Sequence, residues 1–138
     1  MSELRKSLSL RDYQALRKSA GWAVLPDEQA LAGLNHTYLL ISCYEADRIA
    51  GAARLLWDRG HIAYLTDVIV MPEFQGRGIG KTIVRELISS FTSQLPEGWI
   101  VKLSVLAARG RESFYQQFGF QTRPNEADGA GMDMRLTR

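Results

Sequence analysis

A run of strand-forming residues leads directly into a glycine-rich turn and then a long helix, and this junction constrains the fold more than any other part of the chain. The segment runs from Tyr64 to Thr82 and reads YLTDVIVMPEFQGRGIGKT. With no side chains at three turn positions, the backbone can approach a ligand closely, and the first N–H groups of the following helix lack intrahelical partners. Such a junction holds phosphate, so the chain is predicted to bind a phosphorylated cofactor.

Three sequence templates compete for these residues. A Walker A loop ends in Gly80-Lys81-Thr82, but its first glycine would fall on Gln75. A dinucleotide fingerprint needs Gly-x-Gly-x-x-Gly, whereas the glycines here are evenly spaced. The pattern Gln-x-x-Gly-x-Gly fits without adjustment, as Gln75-Gly76-Arg77-Gly78-Ile79-Gly80. Taken alone, these six residues also fit a plain strand-to-helix turn that binds nothing.

A second motif lies near the end of the chain. It reads Phe114-Tyr115-Gln-Gln-Phe118-Gly119-Phe120, in which Phe114 and Phe118 share one helical face and Gly119 suits a left-handed helix end. With both motifs in this order, the chain resembles the GNAT superfamily of acetyl-CoA-dependent N-acetyltransferases. The resemblance extends over the whole chain, including the tail Arg123-Pro124-Asn125, and is most specific from Tyr64 to Phe120.

Length and composition restrict the class of protein. The 138 residues suit a single domain, residues 1–138, and 46% hydrophobic with 23% charged residues is ordinary for a soluble protein. A net charge of +2 gives no reason to expect nucleic acid as a partner. No signal peptide or membrane span is recognisable, so a cytoplasmic protein without a membrane partner is expected. The lone Cys43 is predicted to be a buried thiol, and the separated His36 and His61 predict no metal site.

The hydrophobic patterns alternate between helical and strand periods, which predicts a mixed α/β (α+β) domain. Predicted helices span Leu10 to Ser19, a short segment capped by Asp27 and running toward Leu34, about four turns from Ile79, and a short helix at Phe114. Predicted strands are Tyr38 to Glu45, Ile49 to Trp57, Ile62 to Met71, Trp99 to Leu106, Phe120 to Arg123 and Met132 to Leu136. Gly51 indicates a bulge or a close backbone approach. The helix after Ile62–Met71 makes a crossover, so that strand and Trp99–Leu106 should be parallel.

The resemblance implies a sheet of about six to seven strands flanked by about four helices, with the parallel pair splayed to form the cleft for acetyl-CoA. It further implies that the backbone of Val68, Ile69 and Val70 pairs with the pantetheine arm, and that an N–H near Val68 polarises the thioester carbonyl. The pyrophosphate would bind at the turn and helix start: Gln75, Gly76, Arg77, Gly78, Ile79, Gly80 and Lys81.

The implied reaction is direct attack of a primary amine on acetyl-CoA through a tetrahedral intermediate, without an acyl-enzyme. Tyr115 is the candidate general acid for the departing thiolate, since a phenol with a pKa of about 10 is protonated at neutral pH. Asp67 is the candidate general base, with a purely structural hydrogen-bonding role as its alternative. Glu112 and His61 are weaker candidates. Many relatives carry an Asn before the tyrosine helix, where this chain has Ala107-Ala108-Arg109-Gly110.

The acceptor is expected to be a small-molecule amine. Residues predicted to line its site are Trp22, Trp57, Tyr64 and Arg123. Aromatic residues would suit an aryl-alkylamine, whereas Arg123 would suit an acceptor with a carboxylate or phosphate, and core packing is the alternative role of both tryptophans. A protein or peptide amine, or a non-catalytic acyl-CoA sensor, is the alternative function, and the resemblance allows a homodimer.

Overall fold

The computed structural model describes residues 2–138. One mixed sheet has five strands in the order β1-β2-β3-β4-β5, and four α-helices accompany it. The elements are β1 (Ser2–Arg5), α1 (Leu10–Ser19), α2 (Asp27–Asn35), β2 (Leu39–Glu45), β3 (Arg48–Trp57), β4 (Ile62–Val70), a 3-10 turn (Pro72–Phe74), α3 (Ile79–Gln94), β5 (Lys102–Val105) and α4 (Glu112–Gln116). The predicted α+β class is confirmed, although the sheet has fewer strands than the six to seven expected.

The chain divides into two compact units. The first ends at Val105 and contains the whole sheet with α1, α2 and α3, and the second, Leu106–Arg138, contains α4. The two strands predicted at Phe120–Arg123 and Met132–Leu136 are absent from the described second unit, so that part of the prediction is wrong. Extension to a strand needs a hydrogen-bonding partner as well as an alternating pattern, and local sequence cannot supply it. A single domain over residues 1–138 stays a prediction.

Local chemistry accounts for the first helices. Helix α1 begins after Ser9, whose Oγ accepts a hydrogen bond of 3.1 Å from the N–H of Asp12, and it buries Tyr13 and Leu16 on one face. Helix α2 follows Pro26, which provides no side-chain cap. Asp27 is therefore the first helical residue rather than the predicted cap, and its charge in the first turn still favours the helix dipole.

The sheet is built around an antiparallel hairpin of β2 and β3, whose turn residues Ala46 and Asp47 have φ of +46° and +61°. Strand β1 extends the sheet on the free side of β2. It was not predicted, since four residues with two charges give no strand pattern. Strand β4 pairs antiparallel with β3 and parallel with β5, as the crossover predicts.

The sheet packs differently on its two sides. Helix α3 lies against β2, β3 and β4, and its Ile83, Val84 and Leu87 are fully buried. A cluster that includes Leu16 of α1, Ala52 of β3 and Ile69 of β4 forms elsewhere in the core. Gly51 permits a close approach at the centre, because a methyl group there would lie 2.9 Å from the carbonyl oxygen of Ile69. The predicted close approach at Gly51 is thus confirmed.

Candidate active site

The glycine-rich turn and the start of α3 form an open, positively polarised surface, which we call the anion seat (residues 76–81). Gly76 and Gly78 have φ of +80° and +77°, and a methyl group at either would meet no atom within 4 Å. The first intrahelical bond joins the N–H of Thr82 to the carbonyl of Gly78 at 3.0 Å, so helix geometry leaves the preceding N–H groups without intrahelical partners. The first turn has neither a side-chain cap nor an acidic residue. This geometry fits a diphosphate held by main-chain N–H groups.

Side chains next to the anion seat connect it to the end of β4 and to the core. Gln75 Nε2 donates a 3.0 Å hydrogen bond to the carbonyl of Val70, which fastens the turn to the end of β4. Ile79 and Phe74 are both 7% exposed, so their side chains belong to the core. The guanidinium carbon of Arg77 lies 5.4 Å from the ring centre of Phe74. Of the residues predicted to hold pyrophosphate, Arg77 and Lys81 therefore bring exposed cationic side chains, while Gln75 and Ile79 bring structural ones.

Strands β4 and β5 are paired over four positions and then separate. Their register ends at Leu65 opposite Val105, but β4 continues to Val70 while still paired with β3. On the β5 side, residues 66–70 have no adjacent strand among the elements described. An unpaired strand edge offers N–H and C=O groups to an extended ligand. The Val70 carbonyl is an exception, since it already accepts from Gln75.

A β-bulge sits at the beginning of this free edge. Thr66 pairs with Arg54 and Ile69 with Ala52, so Ala53 alone faces both Asp67 and Val68. Asp67 has a φ of +54°, a left-handed conformation that Asp tolerates better than most residues. The bulge bends the strand where it separates from β5.

The Asp67 carboxylate is held on several sides by neighbours, which together we call the Asp67 cluster (Asp67, Arg54, Arg17 and Tyr13). Oδ2 accepts from Arg54 Nε at 2.8 Å and from the Tyr13 hydroxyl at 2.5 Å, and Arg17 Nη1 lies 3.7 Å from Oδ1. The Asp67 side chain is only 9% exposed. Burial, followed by the hydrogen bond to Asp67, raises the pKa of Tyr13, which keeps its hydroxyl a donor. These contacts favour the structural role of Asp67 over that of a base.

Sequence reasoning missed Arg54, Arg17 and Tyr13 as members of this cluster. A signal for Arg54 was present, because it is the only charged residue within the otherwise apolar run from Ile49 to Trp57. A charge inside a buried strand requires a partner. The sequence did not show which partner, since Asp67 is 13 positions from Arg54 and lies on another strand.

Tyr115, the candidate acid, lies on α4 in the second unit and is 9% exposed. Its ring makes edge contacts with Phe114 and Phe120, with centroid distances of 5.1 Å and 5.9 Å. Phe114 also contacts Phe118 at 5.4 Å, as the four-residue spacing predicts. The motif thus forms a small aromatic cluster that fixes the ring of Tyr115.

The residues predicted to line the acceptor site occupy separate surroundings. Trp57 contacts Tyr38 and Phe91 edge to face, at 4.9 Å and 5.2 Å, and donates to the Gly60 carbonyl, which is a packing role. Trp22 is 38% exposed, with the guanidinium of Arg17 5.5 Å from its ring centre. Half-buried Tyr64 pairs with Leu56 and Ser104 in the sheet. Arg123, in the second unit, donates to the Gly129 carbonyl at 2.7 Å.

The structure also shows where the two weaker candidates for the general base lie. His61 Nδ1 lies 2.9 Å from the carbonyl oxygen of Ile100, and Glu112 opens α4. In the described part of the chain, no three His, Cys, Asp or Glu side chains gather as metal ligands would. Among residues 2–138, no helix combines the length and the apolar character needed to cross a bilayer.

The five-stranded mixed sheet has a diverging parallel pair beside a glycine-rich anion seat, an arrangement that fits a ligand with a diphosphate and an extended arm. The family model for the acetyltransferase (GNAT) domain matches residues 13–136. The chain therefore belongs to the GNAT family of acetyltransferases, which use acetyl-CoA, and the predicted membership is confirmed.

Similar proteins agree with this membership. The uncharacterized N-acetyltransferase ycf52 of Porphyra purpurea is 31% identical over 128 residues, which cover 90% of this chain and 71% of that protein. The histone acetyltransferase TAP1 of Glycine max is 30% identical over 129 residues, covering 86% of this chain and 54% of that protein. The structure of a probable acetyltransferase from methicillin-resistant Staphylococcus aureus is 28% identical, with a TM-score of 0.85 over 99% of this chain and 100% of its own.

Proposed function

We propose that the protein binds acetyl-CoA and transfers its acetyl group to a primary amine of a small molecule. The observation that carries this proposal is the anion seat, where open glycines precede an uncapped helix beside the free edge of β4. The main-chain N–H groups of residues 76–81 would hold the pyrophosphate, aided by Arg77 and Lys81. The free backbone groups of β4 near Val68 would pair with the pantetheine arm.

Acetyl-CoA would supply an activated thioester, and the residues of the protein would orient it and assist the proton transfers. In the transfer, the amine nitrogen forms a bond to the acetyl carbon, the carbon–sulfur bond breaks, and the amine loses a proton while the thiolate gains one. A main-chain N–H near Val68 would donate to the carbonyl oxygen as negative charge develops there. Tyr115 would give its hydroxyl proton to the sulfur. The contacts of Asp67 support transfer of the amine proton to water rather than to that carboxylate.

Binding can be tested with one glycine in the anion seat and a matched glycine outside it. Acetyl-CoA at a hundredfold excess over its Kd should stabilise the folded protein by about 2.7 kcal/mol, seen as a higher Tm. Gly78→Glu should abolish this shift, because it places bulk and negative charge where the diphosphate would lie. Gly98→Glu is the control, since Gly98 also has a positive φ (+84°) and open space around it. Absence of a shift in the wild type, or its retention in Gly78→Glu, would contradict the proposed binding.

The role of Tyr115 can be separated from binding. Tyr115→Phe should lower kcat by about 10²- to 10⁴-fold, the usual contribution of a general acid, and leave the Kd for acetyl-CoA unchanged. Tyr38→Phe removes a hydroxyl that binds Gln94 Oε1 at 2.8 Å and should leave both quantities unchanged. Calorimetry and release of free thiol provide the measurements. Full turnover by Tyr115→Phe would remove Tyr115 from the mechanism.

The acceptor class has two candidates. Support for a small, aromatic amine comes from Trp22, which is 38% exposed beside Arg17, and from half-buried Tyr64. A protein amine is the second candidate, favoured by the similarity to a relative named as a histone acetyltransferase. Thiol release with tyramine, spermidine, glucosamine, lysine and a lysine-containing peptide distinguishes them. Turnover of the peptide alone would overturn the small-molecule assignment.

A further inference from the structure

The Asp67 cluster joins the proposed cofactor strand to the two N-terminal helices. The three ionic side chains are nearly buried, at 9% exposure for Asp67, 11% for Arg54 and 14% for Arg17. Arg54 comes from β3 and Arg17 from α1, so groups from separate elements meet at one carboxylate. Two guanidinium groups and a phenol donor surround it. A carboxylate in such surroundings is held in place more effectively than it is offered to a substrate proton.

The carboxylate belongs to the residue that gives β4 its bulge. Asp67 has a φ of +54°, and Asp67 and Val68 together face Ala53. Holding the side chain by Arg54 Nε at 2.8 Å and Tyr13 Oη at 2.5 Å therefore also holds this irregular piece of backbone. Val68 is the next residue along the strand. The direction of its N–H depends on the peptide plane that the bulge sets.

Arg54 also reaches the end of α2. Its Nη1 donates to the Gly33 carbonyl at 2.9 Å and to Thr37 Oγ1 at 2.7 Å. Arg17 makes a similar connection, since Nε and Nη2 donate to the Ala23 carbonyl at 3.2 Å and 3.1 Å. The segments that flank α1 and α2 are thus fastened to the same carboxylate as the bulge.

We propose that Asp67 is a positioning residue rather than the general base, and that with Arg54 it fixes both the Val68 N–H and the end of α2. The proposal rests on the proposed function for the catalytic role of Val68. Its structural part, the control of the Val68 peptide by the Asp67 side chain, stands on the contacts alone.

Two substitutions at residue 67 separate positioning from proton transfer. Asp67→Asn keeps a carbonyl oxygen for Arg54 and Tyr13 and tolerates the left-handed conformation, but it cannot accept a proton. Asp67→Ala loses the acceptor and suits a positive φ poorly. We expect Asp67→Asn to keep kcat within about tenfold of wild type and to keep the shape of the pH–rate profile, since loss of a general base costs about 10²- to 10⁴-fold. Asp67→Ala should lower kcat about 100-fold by misplacing the reacting groups.

The kinetic outcome that overturns the proposal is equally definite. If Asp67→Asn loses at least about 100-fold in kcat together with the acidic limb of the profile, Asp67 is the base. If Asp67→Ala turns over like wild type, the carboxylate positions nothing. The amine used is the one among tyramine, spermidine, glucosamine, lysine and the peptide that releases most thiol.

A measurement without turnover keeps this proposal distinct from the proposed function. The amide resonance of Val68 in a ¹⁵N spectrum should stay in place in Asp67→Asn and move in Asp67→Ala. An unmoved resonance in Asp67→Ala, with the fold retained by circular dichroism, would overturn the positioning role. If none of the amines turns over, the proposed function fails while the Val68 resonance still decides the structural part.

The connection to α2 has its own variant and control. Thr37→Val removes the hydroxyl that receives Arg54, and we expect it to speed hydrogen exchange of the α2 amides with exchange in α3 unchanged. Thr92→Val removes a hydroxyl bonded to the Ile88 carbonyl at 2.7 Å on α3 and should leave exchange in α2 unchanged. Unchanged exchange of the α2 amides in Thr37→Val would show that Arg54 does not fix the end of α2.

Discussion

Tyr44 has surroundings that make the stability of the protein depend on pH. Its side chain is buried in β2, its hydroxyl donates to Asp12 Oδ2 at 2.7 Å, and the Arg5 guanidinium lies 4.1 Å from its ring centre. Burial first, and then the hydrogen bond to Asp12, raises the pKa of Tyr44 to about 12. Between pH values of about 10 and about 12, the folded state therefore retains the hydroxyl proton of Tyr44, whereas the unfolded chain, with an ordinary phenol pKa of about 10, has lost it.

The sign of this linkage gives a prediction. Stability from Tyr44 is fully present below pH of about 10 and is lost as the pH rises toward about 12, because there the folded state binds more protons than the unfolded state. Tyr44→Phe should reduce this slope. Urea unfolding of both proteins at several pH values between about 9 and 12 measures it. Equal slopes would mean that the hydroxyl of Tyr44 is not protected by the fold. Tyr13, whose pKa is also raised, accounts for some of the slope that remains.

At the scale of an element, β3 depends on the absence of a side chain at Gly51. A methyl group there would lie 2.9 Å from the Ile69 carbonyl oxygen and 3.2 Å from Ile83 Cδ1. The first of these atoms is backbone of β4 and cannot move without disturbing the sheet. Gly51→Ala should therefore lower the free energy of unfolding by about 1–3 kcal/mol, the usual cost of overpacking.

Gly33→Ala in α2 provides the matched control for this denaturation measurement. The nearest atom to its added methyl group would be Arg54 Nη1 at 3.7 Å, an ordinary contact. Because alanine also favours a helix, Gly33→Ala should be neutral or stabilising by up to about 1 kcal/mol. Destabilisation of the same size in both variants would mean that the close approach at Gly51 is not the cause.

Elements specified by local chemistry were predictable, and elements that need distant partners were not. Helix α1 has its apolar spacing and the cap of Ser9 within its own sequence, and the observed bounds, Leu10–Ser19, equal the predicted ones. Strand β1 exists because β2 offers an edge, which four residues cannot reveal. The segment around Met132, Met134 and Leu136 alternates as a strand would, yet the three side chains are 90%, 75% and 84% exposed and it forms no strand.

The candidate site also has one part that local sequence determines and another that depends on distant residues. The anion seat depends on main-chain conformation over a few residues, so its glycines identified it from sequence. The surroundings of Asp67 depend on residues 13 and 50 positions away in the chain, and no spacing rule connects them. The sequence could therefore offer Asp67 as a base or a structural acid, and the structure supplied the contacts that favour the second role.

For the molecule as a whole, Cys43 can report unfolding of the sheet. It is 2% exposed in β2, between Leu4 of β1 and Gly51 of β3, and burial raises the pKa of its thiol. Both effects oppose reaction, because the thiolate is the reactive form. It is the only cysteine in the chain.

We expect native protein to react with a disulfide reagent such as DTNB only through opening of the sheet. The modification rate at pH 8 should follow the denaturant dependence of unfolding measured by circular dichroism. Cys43→Ser is the blank for this assay. Rapid modification without denaturant would show that the pairing of β1 with β2 opens locally at much lower free energy than the rest of the first unit.

The extra residue in β4 also determines what a deletion at this point would do. With either residue 67 or residue 68 deleted, one residue would face Ala53, while Thr66 and Ile69 would keep Arg54 and Ala52 as partners and so keep their faces of the sheet. The strand would lose its bend, but Ile69 would stay in the cluster that contains Leu16. A chain shortened by one residue here should therefore retain its core and lose only the irregular backbone beside the free edge.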